Sequence, residues 1–496
     1  MKIIILGAGR VGYSVAESLV SEKNDITVID TDHERLRALE SRFDLRGVLG
    51  SGIDPQVLAE AGARDTELLI ACASLDETNL VCCKLAQIMF GIPTRIARVH
   101  SPAFALEHET HLLGKDGFGV DCLICPEESL TNYISKLIEY PEAMQVRAFA
   151  DDRAALAAVR ARAGAPAVGL SIADIRARMP DLDMRVVAIY RLFPDAPDRF
   201  VRCAGETRIE PGDEVFILAA SARVAEALRA FNRPEGQASR PVSRIMIAGG
   251  SQVSLRLACK LMQAPGRFHI KIIERGERQC LNLSAALPSQ VLVLQGDATD
   301  ENLLGNEGID DVDMFLALTA DDQTNIMSTL LAKRMGARRV LALVDRRAYA
   351  DLVHGTQIDI ALTPAQAMLG ELLAHVRRGD VQAVHSLRRG VAEALEIVAR
   401  GDRKSSRVVG RKVQDLRLPD DVHIGLIVRG MHAGESLAGQ PGEPAGAPEG
   451  GQKKGEVIIP RSHTTIESGD HVVFFLPDKR LVRDVENLFR VSATFF

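Results

Sequence analysis

Gly7-Ala8-Gly9-Arg10-Val11-Gly12 directly follows the apolar run Ile3-Ile4-Ile5-Leu6, a residue pattern suited to holding a pyrophosphate. Gly7 permits a sharp strand-to-helix turn, Gly9 lets backbone approach the phosphates, and Gly12 lets the helix pack tightly on the strand. The amides that open the helix then face the phosphates, where the helix dipole favours negative charge. Asp30 closes the next apolar run, and its carboxylate can accept both ribose hydroxyls while repelling a phosphate at the 2′ position. NAD or NADH is therefore preferred to the phosphorylated cofactor. The ribose of ATP or ADP satisfies the same acid, so adenosine recognition alone leaves the ligand open.

A degenerate form of the whole unit returns about 240 residues later. Ile245-Met246-Ile247-Ala248 precedes Gly249-Gly250-Ser251-Gln252-Val253-Ser254, and Glu274 takes the place of Asp30. Ser251 puts a Cβ and a hydroxyl where close phosphate approach is wanted, whereas Ser254 should disturb helix packing less. The second pocket is open to three readings: empty, weaker, or restricted to a mononucleotide. Gly296-Asp297-Ala298 stands where Gly50-Ser51-Gly52 stands in the first unit, and Asp322-Gln323-Thr324-Asn325 where Asp76-Glu77-Thr78-Asn79 stands. Two nucleotide pockets with no large catalytic region between them point to sensing rather than turnover.

Other reactive side chains are sparse in pattern. The 8 cysteines of this 496-residue chain read as reduced core residues. Cys72, Cys82 and Cys83 lie in apolar context, and Cys122-Leu123-Ile124-Cys125 lacks the second pair that a zinc site needs. No metal is expected. His108-Glu109-Thr110-His111 is one residue short of the protease zinc motif and reads as a solvated helix face. His375 and His385 look isolated.

The elements that must position these groups alternate strand and helix. Lys2 to Leu6, Asp25 to Ile29, Val48 to Gly50, Leu68 to Ala71, Arg95 to Val99 and Val120 to Ile124 read as strands; Val11 to Glu22 and Pro55 to Ala61 read as helices. Such alternation predicts an α/β fold with a doubly wound parallel sheet. A crossover helix spans Glu127 to Glu139. Beyond it, Val186 to Arg191 and Asp213 to Leu218 read as strands, with Pro211-Gly212-Asp213 as a turn. The small domain recurs too, since Val168-Gly169 matches Val409-Gly410 and Ile209-Glu210-Pro211-Gly212-Asp213 matches Ile466-Glu467-Ser468-Gly469-Asp470. The prediction is a tandem repeat. A Rossmann-like domain at 1–126 and a small α+β domain at 127–231 precede a linker at 232–241; a second Rossmann-like domain at 242–364 and a second small domain at 365–496 follow. The last carries an inserted loop at 431–454, too poor in core-forming residues to pack.

Composition narrows the class. Hydrophobic content of 46% and charged content of 25% suit a water-folding protein, with no apolar stretch of the roughly 18 residues needed to span a bilayer. The opening apolar run leads into the glycine loop without a cleavage site, so it reads as a first strand of a cytoplasmic protein. A net charge of -6, with 5 Tyr and no Trp, offers neither a basic field nor a stacking surface for nucleic acid. No basic amphipathic lipid anchor is visible either.

The chain resembles the peripheral nucleotide-binding subunit of bacterial Trk-type potassium uptake systems, with two tandem domains that regulate potassium conductance. The likeness rests on Gly7 to Gly12 with Asp30, Asp76-Glu77-Thr78-Asn79, Ile96-Ala97-Arg98 and Gly296-Asp297-Ala298, then Ala332-Lys333-Arg334-Met335-Gly336-Ala337, Ser386-Leu387-Arg388-Arg389-Gly390 and Gly469-Asp470. By this resemblance Arg98 approaches the phosphates, and Ala73-Ser74 and Ser51-Gly52 border the adenosine. Ser51 stands where the family has an aspartate, which the second repeat keeps as Asp297; Leu343 stands at the position of Arg98. The resemblance implies a non-catalytic gating subunit, peripheral on the inner face of the cell membrane, a homotetramer partnered with a membrane-embedded potassium-translocating subunit. The crossover helices after Pro126 and Pro364 are candidates either for assembly contacts or for core. The alternative is an NAD-dependent oxidoreductase, which would need a proton donor beside the nicotinamide.

Overall fold

Ile3-Ile4-Ile5-Leu6 is apolar at every position, and a strand of that kind must be covered on both faces, as parallel sheets are. In the computed structural model, β1 (Lys2–Leu6) pairs in parallel with β2 (Asp25–Asp30) on one side and β4 (Leu68–Ala71) on the other, with Ile5 opposite Val28 and Ile70. β3 (Arg46–Leu49), β5 (Thr94–Arg98) and β6 (Cys122–Ile124) complete a six-stranded sheet of order β3-β2-β1-β4-β5-β6. Strand order reverses between β1 and β4, which opens a crevice beyond the carboxyl ends of the strands. The described residues are all except 21–23, 102–103, 105–111, 194–195, 202, 235, 238–239, 265, 354–356, 377–379, 388–390, 420–421, 432–454 and 492–496. The His108 to His111 motif, Arg388 to Gly390 and the inserted loop beyond Met431 thus lie outside them.

Next come β7 (Ala143–Phe149), β8 (Ala154–Arg160), β9 (Met184–Phe193), β10 (Ala196–Val201) and β11 (Glu214–Ala220), an antiparallel sheet of order β10-β9-β11-β8-β7. The second repeat supplies β12 (Arg244–Ala248), β13 (His269–Glu274), β14 (Leu292–Gln295), β15 (Met314–Ala317), β16 (Val340–Leu343) and β17 (Ile360–Leu362), in the order β14-β13-β12-β15-β16-β17. β18 (Val381–Leu387), β19 (Ala392–Val398), β20 (His423–Arg429), β21 (Glu456–Ile458) and β22 (His471–Leu476) follow as β18-β19-β22-β20-β21. Both topologies are therefore written twice, strand for strand.

The chain divides by sheet type rather than by repeat. Met1–Glu139 with Pro241–Val376 forms one compact unit carrying both parallel sheets, and Tyr140–Arg240 with Arg377–Phe496 forms another carrying both antiparallel ones. The crossover helix, expected with the small domain, belongs to the first unit. Its reason is its apolar face: Leu130, Ile134, Leu137 and Ile138 are buried along the helix Pro126–Glu139, which packs on the helices Gln252–Met262 and Pro364–Val376 of the second repeat. Reciprocally, Pro364–Val376 packs on the first glycine-loop helix, Arg10–Val20. The two crossover helices are thus spent within the chain, in an isologous contact between repeats.

In the second unit, the two antiparallel sheets bury one shared core that includes Phe149, Phe216, Leu426 and Phe475. Asn232, expected to open the linker, instead ends the helix Ser221–Asn232, where its side chain donates to the Arg160 carbonyl at 3.0 Å. Val120, expected in a strand, donates its N–H to Leu113 and stays outside the sheet, so β6 starts at Cys122.

Candidate functional site

The first glycine loop sits at the reversal point of the first sheet. Gly7 has φ +102°, a conformation that disfavours any side chain, and its N–H donates to Ile29 O at 2.8 Å. A Cβ on Gly12 would lie 1.8 Å from the Gly7 carbonyl oxygen, so this position admits glycine alone at the observed spacing. A Cβ on Gly9 would meet nothing within 4 Å. The loop is therefore tight on its protein side and open where Gly9 faces outward, the shape that a phosphate pressing on helix-opening amides requires. Arg10 and Val11 begin the helix, and the Arg10 guanidinium pairs with Asp345 of the second repeat.

Asp30, at the end of β2, accepts the Ala8 N–H at 2.5 Å through Oδ2 and the Asp32 N–H at 2.8 Å through Oδ1. Each oxygen keeps a further lone pair, so a ribose diol can be accepted without breaking the tie to the loop. Ser51 and Gly52 follow β3 in the turn before the helix Pro55–Glu60, close enough to β1 that a Cβ on Gly52 would touch Leu6. Ala73 and Ser74 follow β4 on the other side of the loop.

Asn79, wholly buried, organises that side. Its Oδ1 accepts the Ala73 N–H at 2.8 Å, while its Nδ2 donates to Ala73 O at 3.0 Å and Arg98 O at 2.9 Å. Asn325 repeats the arrangement with Thr319 and Leu343. Asp76 accepts the His100 and Ser101 amides, as Asp322 accepts those of Asp345 and Arg346. The duplicated Asp-x-x-Asn run was visible in sequence, but its work of stitching two strand ends together was not read from it.

Arg98 ends β5 beside the loop. Its Nη1 lies 3.5 Å from Cys72 O, and its Nη2 2.5 Å from His100 Nε2. Burial pushes the Cys72 thiol up to about 12, with Arg98 opposing and Asp30 adding to the rise. It stays a neutral packing group. Glu127 meets His100 Nδ1 at 2.7 Å; burial works to raise that carboxyl, but the His100 contact and nearby Arg98 hold it below the usual carboxylate range. His100 and Glu127 are site neighbours that sequence reasoning missed, since nothing in their spacing sets them apart.

The second repeat keeps the backbone and closes the pocket on itself. Gly249 has φ +100°, and Gly250 donates to Glu274 Oε2 at 2.7 Å, as Ala8 does to Asp30. Ser251 Oγ, however, accepts the Ser254 N–H at 3.3 Å and caps the helix that begins at Gln252 and Val253. One amide that a phosphate would use is thereby taken. Asp297 accepts Thr299 at 2.8 Å and 2.7 Å and Arg275 Nη2 at 2.6 Å. Burial favours its neutral form, but these bonds win and hold it below the ordinary range. Ala298 is buried beside it.

The cysteines are free thiols throughout. Among the described residues, no three His, Cys, Asp or Glu side chains gather as metal ligands, and no helix is long and apolar enough to cross a membrane.

Two doubly wound sheets with a glycine-loop crevice in each, followed each time by the same antiparallel sheet, define a tandem fold of the RCK type. The solved GsuK RCK domain has this fold at a TM-score of 0.56 and 18% identity, covering 98% of this chain and 94% of that one. A GsuK channel solved bound to NAD scores the same over 78% of its own chain. The TrkA-N domain matches residues 3–126 and 245–364, and the TrkA-C domain residues 156–232. The chain is 46% identical over 495 residues to the Trk system potassium uptake protein TrkA of Vibrio alginolyticus, and 41% to that of Haemophilus influenzae, each over 100% of both chains. It belongs to the TrkA family of Trk potassium uptake proteins. Membership sets the oxidoreductase reading aside.

Proposed function

We propose that this chain is the non-catalytic gating subunit of a potassium uptake system, peripheral on the cytoplasmic face of the membrane. The first pocket takes NAD or NADH, with ATP or ADP as competitors. The Gly7 to Gly12 amides hold the pyrophosphate, Asp30 the ribose, Ser51-Gly52 and Ala73-Ser74 the adenosine, and Arg98 the phosphates. Filling the pocket changes the angle between domains of a tetrameric assembly, which acts on a membrane-embedded potassium-translocating subunit. A ligand can do this only by preferring one shape, at about 1.4 kcal/mol for each tenfold difference in affinity.

The observation that carries the reading is the open face at Gly9 beside an Asp30 already tied to the loop amide. It occurs in a chain similar end to end to proteins named for potassium uptake. Gly9→Glu places a carboxylate where the pyrophosphate belongs and meets no protein atom at its Cβ. Calorimetric titration should show NADH binding lost with the fold intact; unchanged affinity overturns the site. Potassium flux in vesicles holding the translocator should respond to NADH with the natural chain and not with the variant. Flux indifferent to NADH in both cases overturns gating.

A further inference from the structure

Half-buried Arg98 is held by a pair of residues with no assigned part in the site. Its Nη2 lies 2.5 Å from His100 Nε2, and His100 Nδ1 lies 2.7 Å from Glu127 Oε1. Arginine can only donate, so Nε2 must be the unprotonated, accepting nitrogen, and Nδ1 then carries the proton that it donates to Glu127. His100 is further fixed by its own N–H, which Asp76 accepts at 2.9 Å and 3.0 Å. The Arg98 Nε is buried without a hydrogen-bond partner, so the guanidinium is incompletely satisfied where it lies.

We infer that His100 is a positioning residue for Arg98 and couples phosphate binding in the first pocket to uptake of one proton. The inference rests on the proposed nucleotide reading of that pocket. A pyrophosphate on the glycine loop offers Arg98 a charged acceptor in place of a neutral ring nitrogen, which is the stronger hydrogen bond. Arg98 moves to the phosphate, and His100 Nε2, left without a donor, takes a proton from solvent. Glu127 stays on Nδ1 and faces the new imidazolium, with Asp76 on the backbone side. Among the described residues, Asp30 lies beyond Cys72, and Arg256 of the second repeat has its Nη1 3.2 Å from Cys125 Sγ. The two carboxylates that touch His100, Glu127 on the ring and Asp76 on the backbone, favour the added charge.

Binding that takes up a proton tightens as pH falls. The test is NADH titration of the full chain between pH 8 and pH 6, since NADH itself does not ionise in that range. The natural chain should gain about tenfold in affinity, the effect of one added positive charge near a pyrophosphate. His100→Gln keeps an acceptor for Arg98 and a donor for Glu127 but cannot titrate. It should bind NADH with an affinity that does not change with pH. A flat natural profile, or a slope that survives in His100→Gln, overturns the coupling while leaving the pocket itself standing. Loss of NADH binding at every pH in the natural chain sinks both. Independently of ligand, ¹⁵N spectra of the imidazole should show protonated Nδ1 and bare Nε2, and the opposite tautomer overturns the positioning role.

Discussion

Arg275 holds Asp297 at 2.6 Å in the second pocket, so the carboxylate that would accept from an adenine amino group is already engaged by its own side of the cleft. With Thr299 also on Asp297 and Ser251 capping the adjacent helix, the second repeat satisfies internally the groups that the first leaves free for a ligand. Ligand entry there must first break the Thr299 bonds and an Arg275–Asp297 pair that, being exposed, is itself worth up to about 1 kcal/mol. The expected calorimetric result is one tight NADH site per chain. Ser251→Gly with Arg275→Ala should bring up a second event; two equal sites in the natural chain would contradict the closed geometry.

Gly12 and Gly9 should separate stability from binding. Gly12→Ala drives a methyl carbon to 1.8 Å from the Gly7 carbonyl oxygen, a backbone atom that cannot swing aside. The expected cost is at least about 2 kcal/mol. Gly9→Ala meets no atom within 4 Å and should change unfolding free energy by less than about 0.5 kcal/mol. Urea denaturation of the two variants reads the difference, and equal stabilities would refute the packing argument.

That contrast also marks what the sequence could reveal. The succession of strand, turn, helix and strand around Gly7, Gly9, Gly12 and Asp30 was legible because each residue type answers a backbone need within a few positions along the chain. The burial of the helix after Pro126 was legible as apolar spacing, but its partner was not: Leu130 and Ile134 pack on helices of the second repeat, and no local pattern encodes contacts across such a separation. The His100 to Glu127 contact was hidden for the same reason. Asn79 was legible as part of a repeated run, yet its role depends on three backbone groups from two different strand ends.

The repeated Pro/Ser-Gly-Asp turns close on matching ion pairs. Arg191 meets Asp213 through two bonds of 2.8 Å, and Arg429 meets Asp470 at 2.9 Å and 2.8 Å, with Glu210 and Glu467 as second partners. Both aspartates are buried, so truncating the arginine strands a charge. Arg191→Ala and Arg429→Ala should each cost about 3–5 kcal/mol, and adding Asp213→Ala to the first should recover part of the loss. A cost below about 1 kcal/mol in thermal or urea unfolding would show the clasps to be ornamental.

His385 should make the antiparallel unit sensitive to mild acid. Burial, with nearby Arg147 adding to it, pushes its pKa down to about 3, while the neutral ring donates from Nε2 to Ala148 O at 3.0 Å and packs edge-on against Phe149. In the unfolded chain the same imidazole titrates near 6.5. The unfolded state therefore binds the extra proton first, and stability present above about pH 6.5 declines as pH falls toward the folded value. The slope is at most about 1.4 kcal/mol per pH unit, an upper bound because the side chain keeps some solvent contact. His385→Gln can still donate to Ala148 but does not titrate, so between pH 6.5 and pH 5 its unfolding free energy should change less steeply than that of the natural chain. Parallel slopes in denaturant titrations at the two pH values would place the acid sensitivity elsewhere.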